Sequence, residues 1–265
     1  MEYLWLCLSA VAAGAVNAVA GGGTLLTFPA LTSVVAVHIA NGTSTVALFP
    51  GSFASVWGYR EQLAACRKWM VWLTVPSIVG GAIGAWLVEE RTFGFVIPWL
   101  ILLAAMLFAL QPTISRWLNP PPAACESTEG TAHPIPAESE PPSGKALAGI
   151  VTAQFLIGVY GGYFGAGIGI LMLSSLSFLG LKDIHEVNAL KSFLACCMNI
   201  AAAGIFIANG LVEWPYALAM ALAAIVGGYL GARFSLLLPP SMVRWIVIVI
   251  GFSLAAYYFL RSLAN

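Results

Sequence analysis

Lys191 stands three residues inside an apolar run of about 188–209, with Asn188, Ser192 and Asn199 around it. Asn188, then Lys191 or Ser192, then Asn199 fall near helical spacing, so some of them share a face. An ammonium at that depth is costly unless it lines a cavity or finds partners, which marks the position as functional. The competing reading is that Lys191, close to the segment's end, snorkels to the headgroups. A second polar stripe, Thr43, Ser44, Thr45 and Ser52, lies in an earlier apolar run. Hydroxyls and amides beside one ammonium suit the binding of an anion rather than bond cleavage.

Two glycine-rich breaks add to this chemistry. Asn17-Ala-Val-Ala-Gly21-Gly22-Gly23-Thr24 interrupts an apolar run too long for one span, and Gly165-Ala-Gly167-Ile-Gly169 repeats the situation. A broken backbone is tolerated in lipid only where protein or a water-filled cavity satisfies its polar groups. A helix restarting after such a break presents free N–H groups and the positive end of its dipole. The amides of Gly22, Gly23, Thr24, Gly167 and Gly169 are therefore expected to bind an anion between the two breaks. Close helix packing through small residues is the alternative. It is the preferred reading for two further glycine motifs, Gly80-Gly81-Ala82-Ile83-Gly84-Ala85 and Gly227-Gly228-Tyr229-Leu230-Gly231-Ala232.

No hydrolytic, redox or nucleotide signature accompanies these residues. There is no GxSxG, HExxH or P-loop, and the five cysteines include no CxxC or Cys/His ligand spacing. Neither enzyme activity nor a cofactor or metal is expected. A net charge of zero gives no reason to expect nucleic acid.

The elements that position these groups are membrane helices. Hydrophobic residues make up 60% of the 265-residue chain and charged ones 8%, against about 25% charged in soluble proteins. Glu2 stands where a signal peptide would carry positive charge, so the first apolar segment is expected to stay as a helix. Apolar segments fall at about 3–20, 24–40, 43–58, 69–88 and 93–111, and again at about 146–163, 167–180, 188–209, 215–236 and 243–261. Between them, 119–145 is rich in Pro, Glu, Ser and Thr and reads as a flexible linker. The chain divides into a membrane repeat at 1–118, the linker at 119–145 and a second membrane repeat at 146–265. The GGxxGA motifs, the breaks, and Asn41-Gly-Thr-Ser-Thr45 against Asn188-Ala-Leu-Lys-Ser192 recur in the same order, as duplication predicts. Arg60, Arg67 and Lys68 occupy one loop of the first half and Arg233 and Arg244 the next loop of the second. The positive-inside rule then sets corresponding loops on opposite faces, with the linker cytoplasmic. The expected fold is all-α and integral to the membrane, with two inverted repeats of about five segments, the first two of each broken or re-entrant at the glycines.

The chain resembles the sulfite exporter TauE/SafE family. The likeness is carried by Asn17–Thr24 with Phe28-Pro-Ala-Leu31, Asn41–Gly51, Gly161–Gly167, Asn188–Ser192, Asn199, and Gly210–Trp214 running into Gly227–Ala232. It covers essentially the whole chain outside the linker, which is longer than the connection associated with the family. The resemblance implies a transporter, and in direction an exporter, of small sulfur-containing anions such as sulfite or organosulfonates, in a bacterial cytoplasmic membrane. Site residues are then expected at Asn17, Gly22, Gly23, Thr24, Thr43, Ser44, Gly165, Gly167, Gly169, Asn188, Lys191, Ser192 and Asn199. A coupling ion, proton or sodium, is expected if transport is driven. Alternatives are an anion channel on the same scaffold and a non-transporting scaffold with the linker as docking site. Deleting residues 122–143 is expected to leave flux in proteoliposomes unchanged; lost function with intact expression would favour the docking scaffold.

Overall fold

The computed structural model describes residues 2–19, 21–118, 144–179, 181, 184–233 and 240–264. The linker expected at 119–145 lies outside these, except for Gly144 and Lys145, which open a helix. Regular structure among the described residues is entirely helical: α1 (Glu2–Val19), α2 (Thr24–Thr32), α3 (Val37–Gly58), α4 (Arg60–Leu63), α5 (Arg67–Trp86), α6 (Glu90–Leu118), α7 (Gly144–Tyr163), α8 (Ile168–Leu176), α9 (Ile184–Ala208), α10 (Trp214–Arg233) and α11 (Pro240–Ala264). Four stretches, Arg60–Trp86, Glu90–Leu110, His185–Ala208 and Trp214–Gly231, are long and apolar enough to cross a membrane. The helical segment α3, with 22 residues, is about 33 Å long and so has the length to span, but its polar stripe makes it less apolar than these four.

Polarity is arranged from the inside out. Val71, Phe95 and Leu222 are each more than 70% exposed, as suits side chains facing hydrocarbon. Thr27, Asn41, Thr43, Ser44, Ser77, Gln154 and Lys191 are buried. An apolar exterior around a polar interior belongs to a multi-pass membrane protein.

One boundary differs from the sequence expectation. The second and third segments were expected to part at residues 41–42, but the chain turns earlier, with Ala36 extended at φ −61°, ψ 151° before α3. Asn41 and Gly42 sit inside that helix. Their turn-like character serves packing: the Asn41 amide donates to the Tyr163 carbonyl at 2.9 Å, and the missing side chain at Gly42 admits the Leu211 carbonyl.

α1 packs along α10 and α7 along α5; α3 and α9 pack against each other, against α10 and α5 respectively, and α6 packs against α11. The helix α2 folds back beside α1, so that Ala30, Ser33 and Val34 share a hollow with Glu2, Trp5 and Leu6. Tyr3 lies 5.3 Å from Tyr216 ring to ring, and the Glu213 amide donates to the Thr43 hydroxyl at 2.9 Å. The starts of α1, α3 and α10 thus lie together. At the other end the Cys66 thiol donates to the Glu186 carbonyl at 3.6 Å, which joins the α4–α5 turn to the start of α9.

The GGxxGA motifs are packing devices. Gly80 and Gly84 receive the Phe155 and Val159 carbonyls of α7, while Gly227 and Gly231 receive Val11 and Ala15 of α1. Gly81 faces Met198 of α9, and Gly228 faces Gly51 of α3. A side chain at Gly84 would overlap the Val159 carbonyl. Overpacking of this kind costs about 1–3 kcal/mol. Gly84→Ala is expected to lower the thermal unfolding midpoint in detergent by about 3–8 °C, whereas Gly94→Ala, which meets open space, leaves it unchanged or slightly raised. Equal midpoints would show that backbone contact at the motif does not hold the helices.

Candidate functional site

The two glycine breaks meet in the interior. Gly21 closes α1 in the left-handed region at φ 70°, where a side chain is strained, and Gly165 and Gly167 do the same after α7 at φ 81° and 78°. The Gly21 amide donates back to the Val16 carbonyl at 3.0 Å and the Gly165 amide to Tyr160 at 3.3 Å. Across the junction the Gly169 amide donates to the Gly21 carbonyl at 3.2 Å. Within the first break, the Gly23 amide donates to Asn17 Oδ1 at 3.1 Å.

These bonds correct part of the expectation that the restarting amides stand bare. The amides of Gly23 and Gly169 are already paired, because a buried N–H without an acceptor costs more than the fold can carry repeatedly. Gly22 faces Phe108 of α6, where any side chain would overlap the ring.

Lys191 points inward. It is 1% exposed, and its ammonium donates to Asn188 Oδ1 at 3.1 Å and to the Ala18 carbonyl at the end of α1 at 3.3 Å. Seven residues separate it from the first residue of α9, about 10 Å along the axis. It does not snorkel to that end. Both of these acceptors are neutral oxygens.

Beside this ammonium lies a hollow of about 20 Å³ lined by Asn17, Gly21, Ser52, Ser55, Ile168, Gly169, Lys191, Ser192, Ala195 and Asn199. It brings together five of the expected residues: Asn17, Gly169, Lys191, Ser192 and Asn199. Asn188 joins them indirectly through Lys191. The Ser192 hydroxyl is buried without a hydrogen-bond partner, a polar group awaiting one. The volume suits about one water molecule, so a tetratomic anion enters only if the walls part.

The remaining expected residues lie off the hollow. Thr43 accepts from Glu213, and the Ser44 hydroxyl bonds that of Thr27 at 2.6 Å. Thr24, buried at the start of α2, stands near Gly165, and Gly165 and Gly167 shape the turn. Ser55 is a lining residue the sequence analysis missed. It lies one helical turn beyond Ser52, and that spacing was the available signal. Its hydroxyl donates to Gly51 at 2.9 Å and reaches Gly228 at 3.2 Å.

Comparison with known proteins agrees with this architecture. The family described as "Sulfite exporter TauE/SafE" matches residues 6–258. A "Probable membrane transporter protein" of Haemophilus influenzae is 25% identical, covering 91% of this chain and 88% of its own. "Probable membrane transporter protein ORF9" of Sinorhizobium sp is 23% identical over 95% and 90%, and "Probable membrane transporter protein YunE" of Bacillus subtilis 25% over 89% of each. No solved structure matches.

Asn17→Ala would strip the Gly23 amide of its acceptor inside the break. A loss of about 1–3 kcal/mol is expected, read as a midpoint several degrees lower in detergent, with Asn17→Asp, which keeps the acceptor oxygen, largely spared. An unchanged midpoint in Asn17→Ala would remove this bond from the account of the break.

Proposed function

We infer that this chain, which belongs to the sulfite exporter TauE/SafE family, is a secondary carrier that moves small sulfur-containing anions across a bacterial cytoplasmic membrane. The observation that carries this reading is the hollow at the crossing of the two breaks. It joins an inward-facing, fully buried ammonium, an unpartnered serine hydroxyl and two asparagines. A sulfite or sulfonate group offers three oxygens to such donors and a negative charge to Lys191.

Alternating access rests on an inverted repeat. Exchanging the two halves maps the α1–α10 contact onto α7–α5 and α3–α10 onto α9–α5, and leaves the α3–α9 and α6–α11 contacts each opposite themselves. The glycine contacts exchange in the same register. On this reading α1–α2 and α7–α8 are re-entrant hairpins entering from opposite faces, and three spans complete each half. Arg60, Arg67, Lys68, Arg116, Lys145, Arg233 and Arg244 fall at one set of helix ends, and the positive-inside rule assigns that face to the cytoplasm. With room for about one water, the hollow corresponds to a closed state. Rocking one half against the other opens it to either side.

The test is flux of radiolabelled sulfite, taurine and sulfate into proteoliposomes. Lys191→Met, which keeps the volume and removes the charge, is expected to reduce flux at least tenfold; Ser192→Ala should weaken apparent affinity. Wild-type flux in Lys191→Met would take the ammonium out of the mechanism. Single-channel conductance far above carrier turnover would replace the carrier with a channel.

A further inference from the structure

The two halves treat the same position in opposite ways. In the second half an ammonium caps the broken helix of the first: Lys191 sits between Asn188 Oδ1 and the Ala18 carbonyl near the end of α1. The repeat register shifts by three residues between the long helices and the short helices after the breaks: α3 matches α9 with Asn41 at Asn188 and Ser44 at Lys191, and α2 matches α8 with Thr24 at Ile168 and Thr27 at Leu171. The first half therefore keeps the asparagine, lacks the lysine, and has three hydroxyls where the second half has two aliphatic side chains and the lysine.

All four first-half residues are buried. The Asn41 amide nitrogen donates to the Tyr163 carbonyl at the end of α7, while Asn41 Oδ1 is left buried with no partner. One turn further along α3, the Ser44 hydroxyl meets Thr27, and Thr24 stands at the start of the same short helix beside Gly165. An amide oxygen, hydroxyl oxygens and the negative end of a helix dipole are the donors that hold a small hard cation, and broken helices in membranes supply them characteristically.

We propose that the first half binds a monovalent cation of sodium's size at Asn41 Oδ1, the Thr27–Ser44 hydroxyls and the end of α7, in the place that Lys191's ammonium occupies in the second half. The inference rests on the repeat and carrier reading given above and supplies its coupling ion. A fixed charge in one half and an exchangeable one in the other would let an anion travel with a cation and make its transport depend on the sodium gradient.

The experiment measures thermal unfolding of the full-length purified protein in detergent, in sodium chloride against choline chloride at equal ionic strength, with no sulfur anion present. Sodium is expected to raise the wild-type midpoint by about 5 °C at saturation. Asn41→Ala should abolish the rise. Because that variant also loses the bond to Tyr163, Ser44→Lys provides a second arm. It installs the ammonium in the first half, and should give a folded protein whose midpoint no longer responds to sodium. Equal midpoints of the wild type in the two salts would overturn the site, as would an undiminished sodium response in both variants. A sodium response without sulfite flux would leave the site standing and fail the substrate assignment; sulfite flux that is indifferent to sodium, with no shift, would do the reverse.

Discussion

A helix that stops inside an apolar interior leaves carbonyls and amides with no water to take them, and this fold is organised around meeting that demand. The first break is capped by Lys191 on Ala18, the second by Asn41 on Tyr163. Each cap comes from the long polar-striped helix of the opposite half. The breaks also bond directly, Gly169 to Gly21. Each break takes a hydrogen bond from the other end of the chain, and the candidate site lies beside their junction.

Close approach of backbones makes those cross-half bonds possible. Glycines on α5 and α10 seat carbonyls of α7 and α1, and lipid gives no hydrophobic drive that could hold bulkier surfaces together. Burying the ammonium of Lys191 is expensive. The buried Ser192 hydroxyl, which has no hydrogen-bond partner, lies beside it in the same hollow. The hollow is too small to hold an anion such as sulfite, so the carrier proposed above requires movement between the halves to bind one.

The sequence by itself determined the class of structure. Its apolar composition required membrane helices, the glycine clusters after Asn17 and before Gly169 required breaks, and the repeated GGxxGA motifs marked close packing. These are local properties: hydropathy and the conformational freedom of glycine act wherever the residue stands. The polar residues that matter were visible too, because Lys191, Ser192 and Asn199 are conspicuous inside an apolar run. Their role was not visible. Whether Lys191 snorkels or turns inward is decided by Ala18, far away in the chain, and the amides of Gly23 and Gly169 proved paired because Asn17 and Gly21 reach them. Asn41 and Gly42, which look like a turn, lie within a helix because Tyr163 and Leu211 pack there. Only the tertiary structure settles which partner satisfies a buried polar group, since that depends on helices brought together from both ends of the sequence.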